Sequence, residues 1–343
     1  MSGPHRLRRF LYITPYFPPL ARTGALRPLK FARHLPTHGW APVVLCDLWQ
    51  GATTDRGLFE AIPESTIVVH NYSRRAGPTL ARLQQAWQRE TPAGETAEPK
   101  PARPPLAERV LPGWLYNPEL LPLGEHSPRI PYALRRGREV LAHFPCAAIV
   151  VNADPYAATL VGARLARESG LPLVIDLRDP WAPCELRRPR RPLLVGLVED
   201  QLERGVVTIA ARVILNTHAA CEAYRDHYAD LPSERFDWIR NHCDRALIGD
   251  GEHPDFDRFT MLFLGNFGRF IKAETLLGAL AELRRRGHAQ DALQLVVTGR
   301  FGESDWRMAR GLGVESMVHL HAHLPYRQIG AMMNAADLLV LLV

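Results

Sequence analysis

Three charged residues follow directly behind a short apolar run in the middle of the chain. Leu173-Val-Ile175 is wholly apolar. Asp176, Arg178 and Asp179 follow it, and Pro180 then prevents the strand from continuing. Such a run is typical of a strand buried on both faces of a parallel sheet. Ligands of open α/β sheets bind beyond the carboxyl ends of the strands, so two carboxylates and a guanidinium here are placed for chemistry. The spacing leaves a second interpretation open, in which Arg178 and Asp179 form an ion pair that only fastens a loop.

Glycine turns in front of two predicted helices could bind an anion. Gly24 precedes a helix early in the chain, and Gly265 and Gly268 precede another helix, with Arg269 and Lys272 beside its start. A glycine lets the backbone approach a ligand closely, and a helix N-terminus offers free N–H groups and positive potential. The second turn therefore predicts a diphosphate site, although a glycine is common in any strand-to-helix turn.

The elements that must position these residues form two α/β series. The first predicts strands over 10–14, 42–46, 66–70, 147–151, 173–175, 213–215 and 236–239, and helices over 26–38, 131–143, 156–169, 193–210 and 217–228. The second predicts strands over 259–264, 293–297, 318–320 and 337–343, and helices over 273–286 and 325–335. Strands alternating with helices at this spacing indicate βαβ units and a parallel sheet. The predicted fold class is α/β, with two doubly wound Rossmann-like domains.

The polar stretch after the first series sets the domain boundary. We expect an N-terminal domain over 1–245, with a Pro-rich insertion at about 91–128, and a C-terminal domain over 246–343. The last predicted strand continues to the final residue, Val343. We therefore expect the second domain to be incomplete.

Composition excludes several classes of protein. The 343 residues are 46% hydrophobic, contain no apolar run long enough to span a membrane, and carry five scattered cysteines. The net charge is +6, but it is spread over the chain, and all but three of the 42 basic residues are arginines, so we predict no nucleic-acid partner. We predict a cytoplasmic protein. The run Arg187-Arg-Pro-Arg-Arg-Pro192 is read first as a solvated loop, and contact with a phosphate or lipid headgroup, hence peripheral membrane association, stays open.

Standard cofactor motifs are not found. The sequence has no Gly-x-Gly-x-x-Gly, no Gly-x-x-x-x-Gly-Lys-[Ser/Thr] and no His/Cys set with metal-ligand spacing. We therefore predict no metal and no bound cofactor.

Six weak motifs in one order resemble the family 4 group of GT-B glycosyltransferases, which are retaining enzymes that use nucleotide-sugar donors. The motifs are Tyr16-Phe-Pro-Pro19 with Thr23-Gly-Ala-Leu-Arg27, Asp154-Pro155, Asp176-Leu-Arg-Asp-Pro-Trp181, Asn241-His-Cys-Asp244, Gly265 with Arg269 and Lys272, and Ala336-Asp337. The resemblance covers nearly the whole chain from about Phe10. It implies an N-terminal acceptor domain and a C-terminal donor domain that face each other across a cleft.

The resemblance also implies roles for single residues. Gly24 would lie against the donor phosphates or sugar, and Arg269 and Lys272 would neutralise the diphosphate of the leaving nucleotide. Arg178 and Asp179 would be the catalytic-segment residues that face the cleft. Asn241 would belong to the turn at the crossover between the domains, with Asp244.

Several departures from the family pattern bear on activity. The family has two glycines where this chain has Thr23-Gly24, and His242 stands where the family has a glycine. The family's Glu-x7-Glu element, which would hold the donor sugar and ribose, is expected after Ala336-Asp337 and its strand, where this sequence ends.

The function expected from these features is transfer of a sugar from a nucleoside-diphosphate-sugar donor to a glycan or lipid-linked acceptor, in polysaccharide or glycoconjugate biosynthesis. Metal is not needed for this chemistry if Arg269, Lys272 and a helix N-terminus stabilise the leaving group. Two alternatives stay open: a GT-B sugar-nucleotide epimerase, and a catalytically dead remnant that binds a nucleotide or a partner.

Overall fold

A computed structural model describes residues 7–48, 52–70, 123–153, 155–184, 192–249, 254–268, 271–287, 292–321 and 324–342. The chain divides into two compact units between His242 and Cys243. Most of the predicted insertion at 91–128 lies outside the described residues.

The first unit is built on a wholly parallel sheet of seven strands. Its strands are β1 (Arg8–Ile13), β2 (Trp40–Leu45), β3 (Ile67–Val69), β4 (Ile149–Ala153), β5 (Leu173–Leu177), β6 (Arg212–Leu215) and β7 (Phe236–Trp238). Their spatial order is β3-β2-β1-β4-β5-β6-β7. The order reverses between β1 and β4, which makes the carboxyl ends of these two strands the switch point where open α/β sheets bind ligands.

Helices follow most of these strands. They are α1 (Thr23–His34), α2 (Arg56–Glu60), α3 (Ile130–His143), α4 (Ala157–Ser169), α5 (Leu193–Ile209) and α6 (His218–His227). Gly39 and Gly170 end their helical segments in the left-handed conformation, with φ of 80° and 70°. The strand side chains pack with α3, α4, α5 and α6 into one apolar core that includes Leu11, Ile13, Val151, Ile175 and Val213.

The second unit repeats this plan with four parallel strands among the described residues. These are β8 (Phe259–Leu264), β9 (Leu293–Thr298), β10 (Val318–His321) and β11 (Leu338–Val340), in the order β10-β9-β8-β11. Its helices are α7 (Arg245–Ile248), α8 (Glu274–Arg285), α9 (Glu303–Gly311) and α10 (Ile329–Ala335). The order reverses between β8 and β11, so the glycine turn that follows β8 lies at the second switch point.

Three boundaries differ from the sequence prediction in ways that matter for the site. Strand β5 continues through Asp176 to Leu177, because a buried partner neutralises the carboxylate there. Helix α1 begins at Thr23 instead of Leu26, so Gly24 lies in its first turn and not in the loop before it. Strand β11 ends at Val340, shorter than the predicted 337–343.

Three helices were missed by the sequence prediction. These are α2, α7 and α9, and α7 is a single turn of four residues. Helix α2 has only five residues, and α9 is polar on most of its surface, with Ala309 its one buried residue. Within the described residues, no helix combines the length and apolar character needed to cross a membrane.

Candidate functional site

A buried ion pair joins α1 to the sheet at the first switch point. The guanidinium of Arg27 donates from Nε to Asp176 Oδ2 at 2.8 Å and from Nη2 to Asp176 Oδ1 at 2.7 Å. Asn152, at the end of β4, donates from Nδ2 to Asp176 Oδ2 at 2.7 Å. Arg27 is 6% exposed and Asp176 2% exposed, so both charges are desolvated and depend on each other.

The ion pair shifts the pKa of Arg27 itself and of the neighbouring Tyr12. Burial alone would lower the pKa of Arg27, but the hydrogen bonds and charge of Asp176, with a contribution from Tyr12, raise it. Burial and the charge of Asp176 raise the pKa of Tyr12 well above its usual value. Asp176 is therefore a buried partner of Arg27, and it is not placed to act as an exposed acid or base.

Residues of α1 also donate hydrogen bonds to the last residues of the first unit, at 239–242. Arg27 Nη1 donates to the carbonyl oxygen of Ile239 at 2.8 Å and to Asn241 Oδ1 at 3.2 Å, and Lys30 Nζ donates to the carbonyl oxygen of His242. Asn241 is thus brought beside α1, as part of the first unit. Asp244 lies in the second unit and caps α7 by accepting from Ala246 N at 3.1 Å.

Gly24 makes room for Arg178. A Cβ atom at Gly24 would lie 2.7 Å from Arg178 Nη1 and 2.9 Å from a ring carbon of Tyr16. Arg178 comes from the loop after β5 and is half-buried. The sequence explained Gly24 by the approach of a ligand, whereas the described contacts explain it by the approach of a guanidinium.

A cavity opens beside this glycine. It has a volume of about 120 Å³ and is lined by residues that include Thr23, Arg27, Lys30, Arg178, Asn241 and His242. It lies at the carboxyl end of the first sheet, where α1 begins. Of the candidate residues taken from the sequence, Arg178 and Asn241 line it.

The loop that carries Arg178 and Asp179 is fastened by aromatic residues. Tyr156 donates its hydroxyl to the carbonyl oxygen of Pro180 at 3.0 Å, and its ring stacks on Trp181 with centroids 4.9 Å apart. Trp181 is buried, whereas Asp179 is exposed. The loop therefore presents Asp179 to solvent from a rigid base.

A buried carboxyl group on α5 anchors the same loop and was missed in the sequence. Glu203 accepts from Ala182 N at 2.8 Å, from the Tyr228 hydroxyl at 3.1 Å and from the Tyr224 hydroxyl. The Tyr224 hydroxyl in turn accepts from Trp181 N at 2.8 Å. Burial raises the pKa of Glu203 to about 7, although the three hydrogen bonds lower it in part. The signal in the sequence was Val206 and Val207, which follow Glu203 by three and four positions and so lie on the same helix face.

The second switch point is formed by glycines and arginine. Gly299, after β9, has a φ of 136°, and a Cβ atom there would lie 2.1 Å from the carbonyl oxygen of Gly265. A Cβ atom at Gly268 would lie 2.5 Å from Arg300 Nη2. Arg300 donates from Nε to the carbonyl oxygen of Phe267 at 3.2 Å, and its backbone N–H donates to Asn266 Oδ1 at 2.8 Å.

Of the two cations predicted at this turn, the structure describes only Lys272. Lys272 is exposed and lies two residues before the start of α8. Arg269 lies outside the described residues. Arg300 is a cation beside the glycine turn that the sequence analysis did not identify, because it follows a different strand. Among the described residues, no group of three His, Cys, Asp or Glu side chains is arranged to hold a metal ion.

Comparisons with known proteins agree on the fold. No known protein family matches the chain, and no curated protein matches it. A sucrose-phosphate synthase from Thermosynechococcus elongatus is 12% identical over 97% of this chain and 74% of that protein, with a TM-score of 0.63. MnaA of S. aureus, solved with UDP, is 11% identical over 97% of this chain and 73% of that protein, with a TM-score of 0.54.

These similarities show the architecture of the chain. It has the GT-B fold, and the predicted class of two doubly wound Rossmann-like domains is confirmed.

Proposed function

We propose that the chain is a glycosyltransferase of the retaining, family 4-like type that moves a sugar from a nucleoside-diphosphate-sugar donor to a glycan or glycolipid acceptor. The observation that carries this proposal is the GT-B likeness over 97% of the chain. A likeness of fold is an analogy and hosts more than one chemistry, so residues at the two switch points must supply the rest of the argument.

The proposed reaction is a simple exchange at one carbon. The oxygen of an acceptor hydroxyl forms a bond to the anomeric carbon of the donor sugar. The bond from that carbon to the β-phosphate oxygen breaks, and its electron pair leaves with the nucleoside diphosphate. The hydroxyl proton is released to solvent, and the configuration at the anomeric carbon is retained.

We assign the leaving diphosphate to the second unit. The support is a glycine turn at the second switch point, Gly265 to Gly268, with Lys272 exposed before α8 and Arg300 packed against the turn. Arg269 is assigned to the same role from its place in the sequence. Cations and helix N–H groups at a developing diphosphate charge stabilise the transition state more than the ground state.

We assign the acceptor side to the first unit. Arg178 and Asn241 line one cavity, Gly24 packs against Arg178, and Asp179 extends from the same loop into solvent. In this proposal Arg178 and Asp179 contact the reacting sugar. No cofactor is needed beyond the nucleotide-sugar co-substrate.

We also propose that the enzyme works in polysaccharide or glycoconjugate biosynthesis on the cytoplasmic surface of a membrane. Leu193 and Leu194, at the start of α5, are 78% and 76% exposed, and they directly follow the arginine run at 187–192. Apolar side chains beside arginines suit an interface that carries anionic lipid. Leu193→Ser with Leu194→Ser should weaken sedimentation with anionic vesicles, and Leu312→Ser, an exposed leucine of the second unit, should not.

Calorimetric titration with UDP, GDP and ADP tests the donor assignment. A hydrogen bond to a charged group contributes ~1.5–3 kcal/mol, so Lys272→Ala and Arg300→Gln should each weaken binding of the preferred nucleotide roughly ten- to a hundredfold. Arg307→Ala, which removes an exposed arginine from α9, is the matched control. If the wild type binds none of the three nucleotides, or the first two variants bind like the control, the donor site is elsewhere.

A turnover assay separates the alternatives. Release of nucleoside diphosphate only when an acceptor is added supports the transferase. Interconversion of the nucleotide sugar without an acceptor would instead identify an epimerase, and binding without turnover would identify a nucleotide-binding remnant.

A further inference from the structure

Two buried glutamates of α5 contact the same short stretch of the loop that follows β5. Glu199 Oε2 accepts from Trp181 Nε1 at 3.4 Å, and Glu203 Oε2 accepts from Ala182 N at 2.8 Å. The other buried residues of this helix are valines: Val195, Val206 and Val207. Because a carboxyl group is costly to bury, two of them directed at one loop indicate a role that valine could not fill.

Glu203 holds the loop backbone at two consecutive residues. Its Oε2 accepts directly from Ala182 N, and the Tyr224 hydroxyl donates to its Oε1. The same hydroxyl accepts from Trp181 N at 2.8 Å, so the carboxyl group also reaches Trp181, through Tyr224. Both backbone N–H groups therefore depend on one buried side chain.

These two positions are close to the residues that the proposed reaction assigns to the sugar. Arg178 and Asp179 come just before Trp181, and only Pro180 lies between Asp179 and Trp181. The proline ring fixes its own φ, so this connection has little conformational freedom. A shift of the Trp181 backbone is therefore passed on to Asp179 and Arg178.

The surroundings of Glu203 make this anchor sensitive to its charge. The titratable and charged groups around it are Glu199, Asp200 and Arg204 of α5, Tyr156 before α4, Tyr224 of α6 and Tyr228 after that helix. Its described hydrogen-bond donors are one backbone N–H and two hydroxyls, and none of them is a cation. Burial raises the pKa of Glu203 to about 7, and the charge of Asp200 acts in the same direction. Ionisation above pH 7 therefore favours an opened loop that admits water to the carboxylate.

We propose that Glu203 is a positioning residue for the transfer: with Tyr224 it fixes the backbone at 181–182 so that Arg178 and Asp179 face the reacting sugar. This inference rests on the proposed function, which assigns those two residues to the sugar. Glu203 acts through the loop and does not touch the sugar. Its effect falls on kcat, because the orientation of the reacting groups is at stake, whereas the donor nucleotide is assigned to the second unit.

Two tyrosines provide a matched pair of variants. Tyr224 and Tyr228 are both buried and both donate to Glu203, but among the described contacts only Tyr224 also accepts from the loop backbone. Tyr224→Phe should lower kcat about tenfold or more with little change in the KM of the donor, whereas Tyr228→Phe should keep kcat within about twofold. Urea denaturation shows that both variants are folded and how much stability each has lost.

Hydrogen–deuterium exchange of the whole chain follows the loop without any substrate. At pH 6, the peptide that contains Trp181 and Ala182 should exchange faster in Tyr224→Phe than in the wild type, because Trp181 N has lost its acceptor. Tyr228→Phe should exchange like the wild type. Equal exchange in the three proteins would show that this network does not hold the loop, and would overturn the inference.

Glu203→Gln isolates the charge of the carboxyl group. Glutamine keeps the shape and an acceptor oxygen of the neutral acid but cannot ionise, so this variant should retain most of the kcat at pH 6. The ratio of the wild-type kcat to that of Glu203→Gln should fall from pH 6 to pH 8, since only the wild type acquires the buried charge. A ratio that does not change with pH would overturn the role of Glu203.

The outcomes separate this inference from the proposed function. If kcat falls equally in Tyr224→Phe and Tyr228→Phe, the network is only structural and the inference is overturned, while the transferase proposal stands. If the wild type has no turnover, the transferase proposal fails and the kinetic role of Glu203 fails with it. The exchange measurement then still decides whether Tyr224 holds the loop.

Discussion

The two switch points both pack an arginine against a glycine, but different contacts stabilise them. At each of them a glycine leaves space for the guanidinium of an arginine that arrives from the end of another strand: Gly24 for Arg178 in the first unit, and Gly268 for Arg300 in the second. The first is then fastened by the buried pair of Arg27 and Asp176, and the second by contact between the backbones of Gly265 and Gly299.

This difference has consequences for stability and for charge. The first switch point holds desolvated charges that destabilise the fold as soon as one partner is lost. The second relies on close backbone contact, so its exposed cation Lys272 can change with little effect on folding. A positively charged site can therefore be built around an internal counter-ion or around closely packed glycines. Only in the first case does loss of a charged residue of the site also destabilise the fold.

Removal of the internal counter-charge should have the largest effect. Arg27→Met leaves Asp176 buried without its guanidinium, and the free energy of unfolding should fall by ~3–5 kcal/mol. Urea denaturation followed by circular dichroism measures this, with Lys272→Met as the control from the other switch point, expected to change stability by less than ~0.5 kcal/mol. The double variant Arg27→Met with Asp176→Leu should recover much of the loss. Equal stabilities for Arg27→Met and Lys272→Met would remove the contrast between the two switch points.

The anchor of the Arg178 loop should make the stability of the first unit depend on pH. The pKa of Glu203 is about 7 in the folded protein and near its ordinary value of about 4.5 when unfolded, so between these pH values the folded state binds more protons. Stability is therefore greatest below pH 4.5 for this group and falls as the pH rises to 7, by about 3 kcal/mol in total.

Unfolding free energies of the wild type and Glu203→Gln at pH 5 and pH 8 measure this dependence. The wild type should lose more stability than Glu203→Gln over that interval, and Glu234→Gln, which changes an exposed glutamate of the same unit, should behave like the wild type. A Glu203→Gln variant with the same pH dependence as the wild type would show that this carboxyl group does not titrate there.

Replacement of Gly24, Gly268 or Gly299 by alanine should lower the free energy of unfolding by smaller amounts, which differ among the three sites. Gly299→Ala forces a Cβ atom against the Gly265 backbone at a positive φ, and should cost about 1–3 kcal/mol. Gly268→Ala meets only the end of the flexible Arg300 side chain, and should cost less than ~1 kcal/mol. Gly24→Ala also meets the Tyr16 ring, so it should lie between the two. Thermal unfolding of the three variants ranks them, and a Gly268→Ala variant less stable than Gly299→Ala would contradict this account.

The order of the elements and the fold class could be predicted from the amino-acid pattern alone. Apolar runs such as Leu173-Val-Ile175 and 259–264, separated by helical segments, indicate parallel βαβ units, and strand β8 has the predicted bounds. The sequence also pointed to Arg178, Asp179 and the Gly265 turn, because polar residues directly after an apolar run lie at the edge where ligands bind. The roles of Asp179, Asn241, Arg269 and Lys272 stay predictions.

The pairing of the charged side chains could not be predicted in this way, because it depends on how distant elements pack. Arg27 and Asp176 are 149 positions apart, and nothing in their local patterns distinguishes a carboxylate that pairs inside the protein from one that faces a ligand. In the same way, Arg300 reaches the Gly268 turn and Glu203 reaches Ala182 through space and not along the chain. Local sequence determines the period and ends of an element, whereas the pairing of buried charges depends on the register and crossing of elements distant in the chain, which is where the site is formed.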